Sequence, residues 1–294
     1  MRSDGSPIGS SMPAWLRKAP ALADLPGLTA AMAGNILLRR RPLAGSGLVQ
    51  PESPVIIAGM HRSGTSIVTE LLERLGLFVG RPAVDEHAEW MHFTRANRAM
   101  IGEGSYLLYD YGWTAPKTDE FIAARRGYAE RTARRVAALF PRHLSAGPWG
   151  WKDPRNCLTL PVWLSIFPAA RVLHIVRDGR AVALSLADRD RLDPTFALEL
   201  WAAYVSRAER GMALVPEDRR CIVRYEDLIA EPVDTLEQLA SFAGLKPEAD
   251  QAGVAGALDV SRVPARLADP RASALGDHAL LRRYGYLADS PVAV

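Results

Sequence analysis

Residues 54–76 read Pro-Val-Ile-Ile-Ala-Gly-Met-His-Arg-Ser-Gly-Thr-Ser-Ile-Val-Thr-Glu-Leu-Leu-Glu-Arg-Leu-Gly. Val55 to Ala58 is a short apolar run rich in β-branched residues, the pattern of a strand buried on both faces. Gly59 to Gly64 is a loop with glycine at each end and polar residues between. From Thr65 the apolar positions fall at Ile67, Val68, Leu71, Leu72 and Leu75, the stripe of an amphipathic helix. Gly76 stands where a helix C′ residue would be. The order is strand, glycine loop, helix.

That order builds an anion site. The first N–H groups of a helix have no internal partners and sit at the positive end of its dipole. Glycines let the backbone wrap close to a phosphate without a Cβ clash. Gly59 and Gly64 have the spacing of the phosphate loop G-x-x-x-x-G-K-[ST], but Thr65 occupies the lysine position. That lysine reaches the β- and γ-phosphates of a nucleoside triphosphate, so ordinary ATP or GTP hydrolysis is disfavoured. Arg62 supplies a cation from within the loop instead. The plainer alternative is a glycine turn that merely joins strand to helix.

Working outward, a chain of 294 residues with 48% hydrophobic and 23% charged residues has the composition of a soluble globular protein. No run approaches the roughly eighteen apolar residues of a membrane span, and no secretory leader pattern is visible. Cys157 and Cys221 are too few for a disulfide framework or a cysteine metal site, and are expected as free thiols in a reducing cytoplasm. The net charge is +3, yet residues 1–50 hold six Arg/Lys against two Asp, so the remainder carries −1. The basic balance therefore belongs to an N-terminal arm and does not imply a nucleic-acid-binding body. Residues 1–13 are Gly, Ser and Pro rich and are expected to be disordered. The stretch 14–41 ends in Arg39, Arg40 and Arg41, which suits either a peripheral membrane contact or an arm packed on the domain with a solvated basic end. The expected organisation is an arm over 1–50 and a single α/β domain over 51–294.

The rest of the chain alternates strands and helices. Helices are expected over 91–100, 119–140 (closed by Pro141), 160–167, from 181, over 196–214 and over 233–242, the last stopped by Gly244. Strands are expected at Arg171–Arg177 and Cys221–Tyr225, with Trp149–Arg155 a strand end running into a charged turn. Asp178 is placed to cap the helix after the second strand. Such alternation predicts a parallel β-sheet flanked by helices, with ligands at the strands' C-terminal ends. Arg62, Lys152, Arg177 and Tyr225 all fall at or just past such ends. Tyr106, Tyr109, Tyr111 and Trp113 crowd a loop that could line an acceptor pocket or be half-buried packing.

These residues carry a resemblance. Gly-Met-His-Arg-Ser-Gly-Thr-Ser at 59–66 resembles the 5′-phosphosulfate loop of sulfotransferases that use 3′-phosphoadenosine-5′-phosphosulfate. Arg-Asp-Gly-Arg-Ala-Val-Ala-Leu-Ser at 177–185 looks like their 3′-phosphate motif. Gly-Trp-Lys-Asp-Pro-Arg at 150–155 and Arg-Tyr-Glu-Asp-Leu at 224–228 are similar to segments of the bacterial branch, and all four stand in the family's order. The resemblance implies a P-loop-NTPase-like sulfotransferase fold and that nucleotide as co-substrate, with no metal required. Arg62, Ser63, Gly64, Thr65 and Ser66 would take the 5′ end, Arg177 and Ser185 the 3′-phosphate, and Tyr225 would sit near the nucleotide. Lys152 would contact the transferring sulfuryl group, while Asp153 and Arg155 form a structural ion pair.

An acceptor hydroxyl also needs a base. The bacterial branch often has a Trp-Glu pair before a helix containing Leu-Asn. Counting back from Asn97 selects Glu89, although the order here is Glu-Trp and the family's preceding Asn and Gly are missing. Glu86 and His87 are rivals for the role, and Arg262 and Arg266 are candidate 3′-phosphate ligands without a matching motif. The expected function is sulfuryl transfer to a small-molecule, glycan or lipid hydroxyl. The alternatives are a sulfotransferase-like module that binds nucleotide without turnover, and a P-loop small-molecule kinase.

Overall fold

Strands β1 (Val55–Ala58), β2 (Gly150–Lys152), β3 (Arg171–Val176) and β4 (Arg220–Arg224) form one parallel sheet in the order β2-β1-β3-β4. The computed structural model describes residues 54–80, 89–102, 115–143, 147–245, 251–256 and 269–287. The register sets Ile57 beside Lys152, Ala58 beside His174, and Val176 beside Arg224. Because every strand points the same way, the segments after Ala58, Lys152, Val176 and Arg224 all leave from one edge of the sheet.

Helices cover both faces. They are α1 (Thr65–Arg74), α2 (Met91–Ile101), α3 (Ala115–Ala124), α4 (Gly127–His143), α5 (Asn156–Ile166), α6 (Gly179–Asp190), α7 (Pro194–Met212), α8 (Tyr225–Ala230) and α9 (Pro232–Ala243). Three short ones follow, α10 (Gln251–Ala255), α11 (Pro270–Ala274) and α12 (Ala279–Arg283). The alternation of side chains along each strand sorts the core into two layers. Ile56, Ala58, Trp151, Val172 and Val176 pack with Leu160 and Trp163 of α5 and Trp201 and Val205 of α7. Val55, Ile57, Leu173 and Ile175 pack with Val68 and Leu72 of α1 and Leu236 and Leu239 of α9. Ile56 and Ile57 are fully buried on opposite faces, each worth about 1.5–3 kcal/mol of transfer free energy.

An aromatic cluster fastens α2 to the sheet. Phe93 stacks on Trp151 with centroids 3.9 Å apart and planes 8° from parallel. Trp90 meets Phe93 edge-on at 5.2 Å and Trp149 at 6.1 Å. A Cβ on Gly80 would come within 2.1 Å of the Trp90 ring, so only glycine lets the chain pass there. Trp90 is thus locked, and the residue before it, Glu89, is held with it.

Several expectations change in detail. The single helix expected over 119–140 is two helices, because Arg125 and Arg126 bond three residues back, to Ile122 and Ala123, and Gly127 starts anew. The second of them runs to His143, past Pro141. Helix α5 begins at Asn156 rather than Leu160, since the turn at Asp153–Arg155 already bends helically, Asn156 N–H donating to the Asp153 carbonyl at 2.9 Å. Tyr225 opens α8 instead of ending a strand. The arm at 1–50, Glu86, His87, the aromatic loop at 106–113, Arg262 and Arg266 lie outside the described residues.

Candidate active site

The loop after β1 has unusual backbone geometry. Gly59 (φ +158°) and Gly64 (φ +84°) leave no room for a Cβ, which would lie 2.6 Å from the Ile175 carbonyl oxygen in one case and 2.3 Å from Tyr225 Cδ2 in the other. Between them Arg62 is left-handed at φ +69°. Gly64 caps α1 without any side-chain acceptor, and the first turn of α1 carries no acidic residue. The N-terminus of α1 therefore keeps its positive end for an outside ligand.

Arg62 joins this loop to the next one. Its Nε donates to Ser185 Oγ of α6 at 2.8 Å, and its own carbonyl accepts from Arg177 Nη1 at 3.1 Å. The Arg177 guanidinium lies 5.1 Å over the ring of Tyr225, the same ring that Gly64 abuts. Tyr225 is 3% exposed, so it is a buried wedge between the two loops. Asp178 caps α6, its carboxylate accepting from Arg180 N–H at 2.8 Å, as its position predicts.

Together these elements surround a cavity of about 650 Å³. Arg62, Gly64, Thr65, Ser66, Arg177, Ser185 and Tyr225 line it, and so do Glu89 and Lys152. Ser63 is the exception. Its side chain is fully buried with Oγ unpartnered among the described residues, and its N–H is spent on the Met60 carbonyl at 3.1 Å inside the turn.

At the other end of the cavity four buried charges meet. Glu89 is 5% exposed; its Oε1 accepts from Lys152 Nζ at 3.3 Å and its Oε2 from Arg155 Nη1 at 3.4 Å. Arg155 Nη1 also donates to Asp153 Oδ1 at 2.8 Å, the ion pair expected from the sequence. Burial pushes the Asp153 carboxyl up; Arg155 opposes that push and Glu89 adds to it. Burial works against the Arg155 charge too, but Asp153 and Glu89 outweigh it and raise its pKa. Two cations and two carboxylates thus stand buried against one another, Glu89 and Lys152 at the cavity wall.

The sequence profile of the sulfotransferase family matches residues 54–249, from the start of β1 past the end of α9. The chain belongs to that family. Among similar proteins, one from Caenorhabditis briggsae named "Putative protein-tyrosine sulfotransferase" is 21% identical over 204 residues, 66% of each chain. The omega-hydroxy-beta-dihydromenaquinone-9 sulfotransferase Stf3 of Mycobacterium bovis is 30% identical over 108 residues, 32% of this chain and 28% of the relative. The chain thus spans under two thirds of either relative's length. Among solved structures, sulfotransferase STF1 from Mycobacterium tuberculosis H37Rv aligns with TM-score 0.49 at 15% identity, covering 74% of this chain and 76% of that one.

This sulfotransferase-family site contains parts that the motifs did not announce. His61, Asp188, Arg189 and Asp269 also line the cavity. Asp269 caps α11 and pairs with Arg271, which reaches Asp188 of α6 at 3.2 Å and so brings a C-terminal wall to the site. Beneath the Glu89 corner, Asn97 Oδ1 accepts from Thr159 Oγ1 and Trp163 Nε1, both at 2.8 Å. Asn97 Nδ2 donates to Asn156 Oδ1 at 2.9 Å, and Asn156 Nδ2 to the Ile57 carbonyl at 2.9 Å. Asn97 served only as a counting mark in the sequence; it is the hub of a buried polar network. Its apolar neighbours in α2, at Phe93, Ala96 and Met100, were the available signal that it faces inward. Among the described residues no His, Cys, Asp and Glu cluster suits a metal ion.

Proposed function

We propose that this chain transfers a sulfuryl group from 3′-phosphoadenosine-5′-phosphosulfate to an acceptor hydroxyl. The observation that carries the reading is the Arg62–Ser185 hydrogen bond, which couples residues 123 apart over one cavity. A donor with a sulfated 5′-phosphate and a separate 3′-phosphate needs two adjoining anion sites. The α1 N-terminus with Arg62 suits the first, and Arg177 with Ser185 suits the second.

In the proposed reaction the acceptor oxygen attacks sulfur in line. As that S–O bond forms, the bond from sulfur to the bridging oxygen breaks and its electron pair stays on the 5′-phosphate. Charge therefore builds where Arg62 and the N–H groups of α1 converge. The acceptor proton passes to Glu89. For this Lys152 exchanges its contact with Glu89 for a sulfuryl oxygen, leaving Oε1 open to the hydroxyl while Arg155 keeps Glu89 in place.

The names of the two relatives specify a tyrosine and an omega-hydroxy menaquinone derivative, and a hydroxyl acceptor is proposed here on the same lines. We assign the chemistry to one domain over 51–294, outside the arm at 1–50. Cys157 and Cys221 are free thiols, which supports a reducing cytoplasmic setting; no helix among the described residues is long and apolar enough to cross a membrane.

Calorimetric titration with adenosine 3′,5′-bisphosphate, beside ATP with Mg²⁺, tests the donor. Tight binding of the bisphosphate with ATP weak is expected, and the reverse preference would overturn the reading. The double clamp on Glu89 favours a second reading, nucleotide binding without turnover. Sulfation of any member of a hydroxyl panel eliminates it.

A further inference from the structure

The Arg177 turn is held from below by a contact that none of the anion-binding residues makes. The peptide N–H of Asp178, which is the peptide that follows Arg177, donates to Glu226 Oε1 at 3.0 Å. The other oxygen of Glu226 accepts from Tyr286 Oη at 2.9 Å. Tyr286 in turn is pinned twice over: its carbonyl accepts from Arg180 Nη2 at 3.0 Å, and Arg224 stacks 5.7 Å from its ring. Arg224 also donates to the Tyr284 carbonyl at 3.1 Å. The backbone thus doubles back through Gly285 at φ +73°, where a Cβ would stand 3.3 Å from Arg224 Nη1. A segment at the C-terminal end of the described chain thereby reaches the backbone of a motif more than a hundred residues earlier.

We propose that Glu226, oriented by Tyr286, is a positioning residue that fixes the Arg177 peptide and so sets recognition of the donor's 3′-phosphate. The inference rests on the donor reading above and deepens it. Glu226 cannot help an anion directly, because its carboxylate would repel a phosphate held by Arg177. Its service is geometric. With Asp178 N–H anchored, the chain leaves β3 at one angle, Arg177 keeps Nη1 on the Arg62 carbonyl, and its guanidinium stays over Tyr225. The Tyr286 hydroxyl remains a donor throughout, since burial and then the Glu226 carboxylate raise its pKa.

The sign of the effect separates this role from a purely electrostatic one. If Glu226 acted by charge alone, Glu226→Ala would tighten anion binding. If it positions Arg177, Glu226→Ala weakens it. Glu226→Gln should restore it, since the amide oxygen can accept from Asp178 N–H and the amide nitrogen can donate to Tyr286 Oη.

The experiment compares dissociation constants for adenosine 3′,5′-bisphosphate and adenosine 5′-phosphate in the full chain. The ratio of the two reports the 3′-phosphate contact, and a general loss of folding would not change it selectively. Tyr286→Phe and Glu226→Ala should each raise the ratio of the bisphosphate constant to the 5′-phosphate constant roughly tenfold, the scale of one misaligned charge-assisted hydrogen bond. The change should fall on the bisphosphate, with the 5′-phosphate constant unchanged and Glu226→Gln close to wild type. Should Glu226→Ala fail to fold, Tyr286→Phe carries the test, because it removes one hydroxyl and keeps the ring. An unchanged ratio in Tyr286→Phe, or a parallel loss for both nucleotides, overturns the proposal while leaving the donor site standing. A wild-type protein that does not distinguish the two nucleotides, or an Arg177→Ala variant that still does, removes the donor reading itself.

Discussion

Arg62 occupies a backbone conformation that costs an L-residue about 1–2 kcal/mol relative to the right-handed region. The cost is repaid in function only if the side chain it aims is needed, and its Nε contact with Ser185 Oγ indicates that it is. Two substitutions separate backbone from side chain. Arg62→Ala and Arg62→Gly should both weaken bisphosphate binding, by about 1.5–3 kcal/mol for a lost charged hydrogen bond. The glycine variant should nevertheless be more stable than the alanine variant by about 1 kcal/mol, because glycine meets the left-handed angle without strain. Denaturation and titration on the same two proteins check this, and equal stabilities would remove the strain argument. Glu89→Gln makes the complementary case. It deletes one of two carboxylates balancing Lys152 and Arg155, so an anionic donor should bind at least as tightly while turnover is lost. Normal turnover in that variant would move the base elsewhere.

At the scale of elements, the join between α2, α5 and β1 depends on polar atoms as much as on the aromatic stack. Asn156 supplies the Ile57 carbonyl, Trp151 Nε1 and Asn97 Nδ2 with partners, all buried. Asn156→Ala strands several of them, and a loss of about 3–5 kcal/mol is expected. Asn97→Ala strands Trp163 Nε1 similarly, while the Thr159 hydroxyl keeps the Arg155 carbonyl at 3.1 Å. Because the two asparagines share a hydrogen bond, the double variant should lose less than the sum of the singles, which urea denaturation of the four proteins measures. Strict additivity would show that they act separately. The same join marks the limit of what the sequence discloses. Strand β1, helix α1 and the Gly244 stop were legible because a continuous apolar run, a helical stripe and a left-handed glycine are local signals. So was the edge at which Arg62, Lys152 and Arg177 meet, since parallel strands deliver their ends together. The break before Gly127 was hidden because its own residues, Arg125 and Arg126, are good helix formers, as are Ala123 and Ala124 before them. The Glu89 clamp and the Asn97 hub were hidden for another reason. Their partners lie 59 to 66 residues away in sequence, and no local pattern records such a distance.

For the molecule as a whole, the sheet that presents the site also contains a titratable group in its centre. His174 lies on β3 between Ala58 and Ile222, fully buried, with neither ring nitrogen partnered among the described residues. Alternation along β3 puts it on the same face as Val172 and Val176, in the layer that holds Trp163 and Trp201. Burial lowers its pKa from 6.5 to about 4. The folded state therefore binds fewer protons than the unfolded state between those values, and stability rises with pH through that window. The contribution is fully present above pH 6.5 and is lost as the pH falls toward 4, with a drop on the order of 3 kcal/mol. Other groups titrate in the same range, so the decisive comparison is with His174→Leu, which keeps an apolar body of similar size and removes the proton site. Its free energy of unfolding, measured by denaturant titration across the window, should fall less steeply than that of the wild type. If the two curves run parallel, His174 is not the group through which acid reaches this core. The flattening should leave bisphosphate affinity at neutral pH untouched, because His174 is absent from the cavity lining and acts on the sheet beneath it.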